Sequence, residues 1–200
     1  MTLRSHLLIL GCLLLSACSS TPMRYHTLIP TQPTAAGGAQ ADFQLQLMPV
    51  RIPVQVDQPG LVVRESDGRL AILDNVLWAS PPADEFHDAL AFALEHRLGV
   101  RDLAGLPGNA VQPVVIVRTD VRRFDSLPGM HAALDVVWSL ELGNHQPPRP
   151  ALTCASVISQ PATVEVDSLV LAHQRAIDQL AEKIASTARQ WVGSGATVCP

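Results

Sequence analysis

The tetrapeptide Leu15-Ser16-Ala17-Cys18 places a thiol directly after a small residue, at the end of an apolar run. A thiol in that setting can take a diacylglyceryl thioether. Cleavage before it then frees an amine that can be acylated in turn. Several acyl chains on one residue exceed the single chain that gives only marginal binding, at about 0.8 kcal/mol per buried CH₂. Cys18 is therefore the candidate lipidation site. Of the four cysteines, Cys12 precedes the cut, which leaves Cys154 and Cys199. In an oxidising compartment these two are a disulfide candidate, closing a loop of about 45 residues and contributing a few kcal/mol. The alternative is two separate thiols, one in a strand and one on a frayed tail.

The other reactive side chains form no catalytic or metal pattern. His87 and His96 are nine apart on one predicted helix, whereas zinc ligands on a helix face sit at i and i+4. His26, His131, His145 and His173 stand singly and read as scattered surface histidines. Asp84, Glu85, His87 and Asp88 have the types to hold a cation, but an acidic first helical turn is the commoner explanation. Arg122-Arg123, between Asp120 and Asp125, reads as a charged strand edge that blunts aggregation. A partner contact is its functional alternative. Gly193-Ser194-Gly195 follows a helix and not a strand, so it is no nucleophile elbow. Gly105 and Gly108 lack the third glycine and the lysine of phosphate-binding loops. The expectation is a chain that is not an enzyme and takes no cofactor beyond the lipid on Cys18.

Arg4 and the run Leu7 to Leu15 precede Cys18 in the order of a secretory signal. The run is far shorter than the roughly 20 residues of a spanning helix. Residues 1–17 read as a signal peptide, and Leu15 to Cys18 resembles the lipobox of bacterial lipoproteins. Ser19 is not the aspartate that retains such proteins at the inner membrane, so the expected address is the periplasmic face of the outer membrane. Without the leader the net charge is −5, which argues against nucleic acid. The whole chain is 48% hydrophobic and 16% charged, enough for the body after the leader to bury a core.

Residues 18–41 read as anchor and tether with a short strand at Tyr25, 42–193 as one domain, and 194–200 as a tail. Phe43 to Ile52 alternates as a strand disturbed at Pro49. Leu61 to Arg64 and Arg69 to Leu73 flank Ser66-Asp67-Gly68 as a hairpin. A helix follows Ser80-Pro81-Pro82 and stops at Gly99. Val111 to Phe124, His131 to Leu142 and Ala151 to Gln160 form an antiparallel meander. A last helix, from near Ser168 to about Val192, has an apolar stripe from Leu169 to Trp191, with Asp178 and Glu182 toward solvent. The fold class is α+β, a mostly antiparallel sheet with two helices packed on one face.

Several segments together resemble one family. They are Tyr25 to Leu28, Pro49-Val50-Arg51-Ile52-Pro53, Val56 to Arg64, Trp78-Ala79-Ser80-Pro81, Leu134 to Leu140 with Trp138, and the Ala-rich stretch Ala176 to Ala185. Their order is similar to that of the PqiC-type auxiliary lipoproteins of ABC-type intermembrane transport systems, over nearly the whole chain after the leader. Gln58 departs from the arginine often found there. The resemblance implies a non-enzymatic subunit under the outer membrane, partnered with an MCE-domain protein that moves lipids and supports envelope integrity. It also implies homo-oligomeric rings. The other reading is a lipid carrier holding ligand inside its own fold.

Overall fold

The computed structural model describes residues 22–33, 37–143, 149–195 and 198–200. The leader, Cys18, His145 and the Pro147-Pro148 connection lie outside the described residues. The β-branched run Val114 to Val117 opens β5 (Val114–Leu127). Antiparallel to it runs β6 (His131–Gly143), and antiparallel to that runs β7 (Leu152–Pro161). On β6, buried Ala132, Leu134, Val136, Trp138 and Leu140 alternate with half-buried neighbours, the period of a sheet covered on one face. This is the meander the sequence predicts.

The α+β class with two helices holds, but the strands divide between two sheets. β2 (Gln44–Leu47) extends the meander as β2-β5-β6-β7 and is parallel to β5. The second sheet has the order β1-β4-β3, from β1 (Arg24–His26), β3 (Gly60–Ser66) and β4 (Arg69–Trp78). Its hairpin turns at Asp67-Gly68, and β1 joins β4 in parallel. The parallel pairs follow from the connections. Between β2 and β5 lie the hairpin and a helix, the kind of crossover that parallel pairing requires. The predicted strand from Phe43 to Ile52 is shorter than its alternation indicates: after Pro49 only an isolated bridge, Arg51 to Asp120, resumes the pairing.

α1 (Pro82–Leu98) begins with proline and acidic residues in its first turn. It ends at Gly99, whose φ of 64° lets its N–H cap Glu95 O at 2.9 Å. α2 (Val166–Ser194) buries the stripe from Leu169 to Trp191 against β6 and β7, and α1 packs on α2. Arg97 of α1 bonds Asp178 Oδ1 at 2.8 Å and also Glu182. Those two acids were expected to face solvent. They instead hold the helices together, because Arg97 projects from the C-terminal end of α1 across α2.

Phe124 sits where all layers meet. It stacks on His173 of α2 at 3.9 Å and meets the edges of Trp78 of β4 and Phe86 of α1 at 6.2 and 6.4 Å. At the other end of the body, Cys154 of β7 is bonded to Cys199, with an S–S distance of 2.01 Å and a separation of 45 residues. Closing a loop of that length removes chain entropy worth up to about 4 kcal/mol from the unfolded state. Reduction, or the pair Cys154→Ala and Cys199→Ala, should lower the urea midpoint with the far-ultraviolet circular dichroism unchanged. An unshifted midpoint would refute a stabilising role for this bond.

Candidate functional site

Arg122 and Arg123 face outward side by side because β5 carries an extra residue there. Val121 registers with Val136 and Arg123 with Asp135, so Arg122 has no opposite number. Such a bulge resets the alternation of the strand. Before it the odd positions are buried, and after it Phe124 and Ser126 point inward. At Arg122-Arg123 β5 is the charged strand edge the sequence indicates, since β6 pairs with it on one side only. On its β2 side the last paired position is Asp120.

Arg122 bonds Asp120 at 3.0 Å, and Arg123 bonds Asp125 Oδ2 through Nε at 3.0 Å and Nη2 at 2.5 Å. The other oxygen, Oδ1, accepts from Arg64 of β3, through Nη2 at 2.9 Å and Nε at 3.3 Å. The carboxylate of Asp125 is buried. Burial pushes its pKa up, but the bonds from Arg64 and Arg123 outweigh that and hold it below the usual range. A carboxylate fixed between two guanidiniums has no proton to give. The cluster therefore clamps the small sheet onto β5. The cleft beside it, lined by Val56, Val62 and Leu70, measures about 40 Å³.

Next along the strand, Ser126 Oγ lies 2.8 Å from His173 Nε2, both buried, while Nδ1 has no hydrogen-bond partner among the described residues. Serine, histidine and aspartate stand together, but not as a catalytic triad. Asp125 bonds arginines and not the imidazole, and no solvent reaches the serine. Burial pushes the His173 pKa down to about 3 against a smaller opposing pull from Asp125. His173 is thus no surface histidine. Its position was legible, four residues from both Leu169 and Ile177 on the apolar stripe of α2.

Glu85 stands in the acidic first turn that the sequence indicates and does more there than complement the helix end. Its buried carboxylate accepts from Thr27 Oγ1 at 2.7 Å, Leu28 N at 2.8 Å, Ser80 N at 3.1 Å and Ser80 Oγ at 2.9 Å. This ties the end of β1 to α1. His87 instead meets Asp88 at 3.0 Å on the surface. Among the described residues no group of histidine, cysteine, aspartate and glutamate could hold a metal, and no helix is long and apolar enough to cross a membrane.

His173 makes stability depend on pH. Its folded pKa lies below its unfolded value of 6.5, so the unfolded chain binds the proton first. Stability is complete above 6.5 and falls as pH drops toward about 3, by up to about 1.4 kcal/mol per pH unit. Asp125 adds loss in the same direction at the acid end of that window. His173→Gln keeps a donor for Ser126 and should flatten the decline measured by urea unfolding between pH 7 and 4. An unchanged slope would refute the assignment.

Comparison with known proteins accords with this architecture. The family model for the ABC-type transport auxiliary lipoprotein component matches residues 26–185. A solved structure of an uncharacterized protein is similar with a TM-score of 0.65 and 18% identity, over 84% of this chain and 99% of its own. A Xanthomonas campestris protein of the DUF330 family is similar with a TM-score of 0.60 and 18% identity, over 83% and 95%. At that identity the likeness is one of fold. No curated protein matches in sequence. By the family match from β1 to α2, the chain belongs to the ABC-type transport auxiliary lipoprotein components.

Proposed function

We propose that this protein is anchored through acylated Cys18 on the periplasmic face of the outer membrane. There it serves as a non-catalytic subunit that holds an MCE-domain partner of a lipid-transporting ABC system. The observation that carries this reading is a filled interior in a family named for transport. Trp138, Trp191, Phe86, Leu90 and Leu134 are fully buried within one continuous core. Between Leu28, α1 and α2 the hollow is about 10 Å³, whereas a site that engulfs a ligand takes roughly 300 Å³ or more. Larger depressions of about 450 and 290 Å³ lie open on the surface beside Phe92 and Met48. Among the described residues, these hollows offer no enclosed room for acyl chains, which favours the adaptor over a carrier. The work of such a body falls to its surface and its anchor, and Arg122 and Arg123 are candidate contacts for the partner. A ring of several copies, as the family resemblance implies, would multiply that surface.

Cys18→Ser tests the anchor. The variant should stay unacylated, fractionate away from membranes and fail to support envelope integrity. Full function without the cysteine would overturn the reading. Gentle detergent extraction of the wild-type chain should co-purify an MCE-domain protein, and Arg122→Ser with Arg123→Ser should reduce the yield. Extraction that never recovers such a partner would exclude the adaptor role.

A further inference from the structure

One face of the small sheet carries a row of exposed apolar residues that ends, at Leu70, beside the cleft where Val56 and Val62 meet. Tyr25 registers with Leu77, and Leu77 with Gly60, so these three positions share one face. A Cβ at Gly60 would stand 2.4 Å from Ile72 Cγ2, which puts the Ile72 side chain over the glycine on that same face. Leu70 lies two residues further along β4 on the same side. Tyr25 is 66% exposed, Ile72 57% and Leu70 39%. The opposite face, with Leu61, Val63, Val76 and Trp78, is core. A sheet covered on one side normally turns polar residues to water on the other. Single exposed apolar residues need no explanation, but a contiguous row of them marks a contact surface.

The chain itself indicates what covers this row. Tyr25 lies seven residues after Cys18, and an extended chain spans at most about 3.6 Å per residue, or about 25 Å in all. A bilayer holding Cys18 is therefore always within reach of β1, the edge strand that carries Tyr25. Tyrosine combines an apolar ring with a polar tip and concentrates at the membrane–water boundary.

We propose that the face formed by Tyr25, Leu77, Ile72 and Leu70 lies against the phospholipid bilayer that holds Cys18. This fixes the orientation of the body instead of leaving it free on its tether. The proposal rests on the acylation of Cys18 argued above.

The test uses the full chain in cells, with a benzophenone amino acid at position 25, 72 or 157. Val157, 78% exposed on β7 of the other sheet, is the control. After irradiation, trypsin cuts behind Arg24, so the Cys18 peptide and the Tyr25 peptide are weighed separately by mass spectrometry. Phospholipid adducts several-fold more abundant at 25 and 72 than at 157 are expected. Adducts to protein at 25 and 72, or lipid adducts no more frequent than at 157, would overturn the docking and assign the face to a partner or a second copy. The Cys18 peptide is an independent readout. If it is acylated and the lipid adducts are missing, the docking alone fails. If it is unmodified, the anchor fails, and the docking against the bilayer that holds Cys18 fails with it.

Discussion

One inserted residue organises this body. Without the bulge at Arg122 the alternation of β5 would run on unbroken through the same residues, and Phe124 and Ser126 would point away from the core. With it, Phe124 turns inward to the point where Trp78, Phe86 and His173 converge. Those residues come from the small sheet, the first helix and the second helix. A bulge also leaves consecutive side chains on the outside, which is why two arginines stand together there. Arg123 then reaches back to Asp125, and Asp125 reaches across to Arg64. The hydrophobic junction and the ionic clamp are two products of the same backbone irregularity.

Three of the polar groups buried in this fold, Glu85, Asp125 and Ser126, share a logic. Each joins elements that backbone hydrogen bonds do not join. Glu85 links α1 to the end of β1, Asp125 links β5 to β3, and Ser126 links β5 to α2. A buried carboxylate is costly unless its oxygens are satisfied. Glu85 and Asp125 each accept four hydrogen bonds, from backbone, hydroxyl or guanidinium donors. Such contacts are directional, so they fix how the layers sit where apolar packing alone would tolerate sliding.

The parts of the fold legible in sequence are those with a period. The alternation in His131 to Leu142 and the stripe from Leu169 to Trp191 each extend over enough residues to declare strand or helix. Division into two sheets was not legible, because β1 and β2 have three and four residues and partners far away in the chain. His173 was legible in principle from its place on the stripe. Glu85 was not, since its donors Thr27 and Leu28 lie 58 and 57 residues earlier, and an acid in a first turn has an ordinary meaning already. The tether is also shorter than the span 18–41 that the sequence indicates. Leu28 is buried, and Gly38 and Ala41 bond the last carbonyls of α1. Cys18 is read from sequence chemistry alone.

The grip of Glu85 on Thr27 and Leu28 has a mechanical side. On the proposed anchoring through Cys18, a pull from the membrane side would reach the described body first at β1. β1 pairs with β4 along its length, so tension along the strand loads its hydrogen bonds together in shear and does not unzip them one by one. Directly behind the strand, the carboxylate of Glu85 takes up the strain and hands it to α1 and, through Arg97, to α2. Three residues of strand would be a poor rope alone. Spliced to both helices in this way, they let the whole body resist the load.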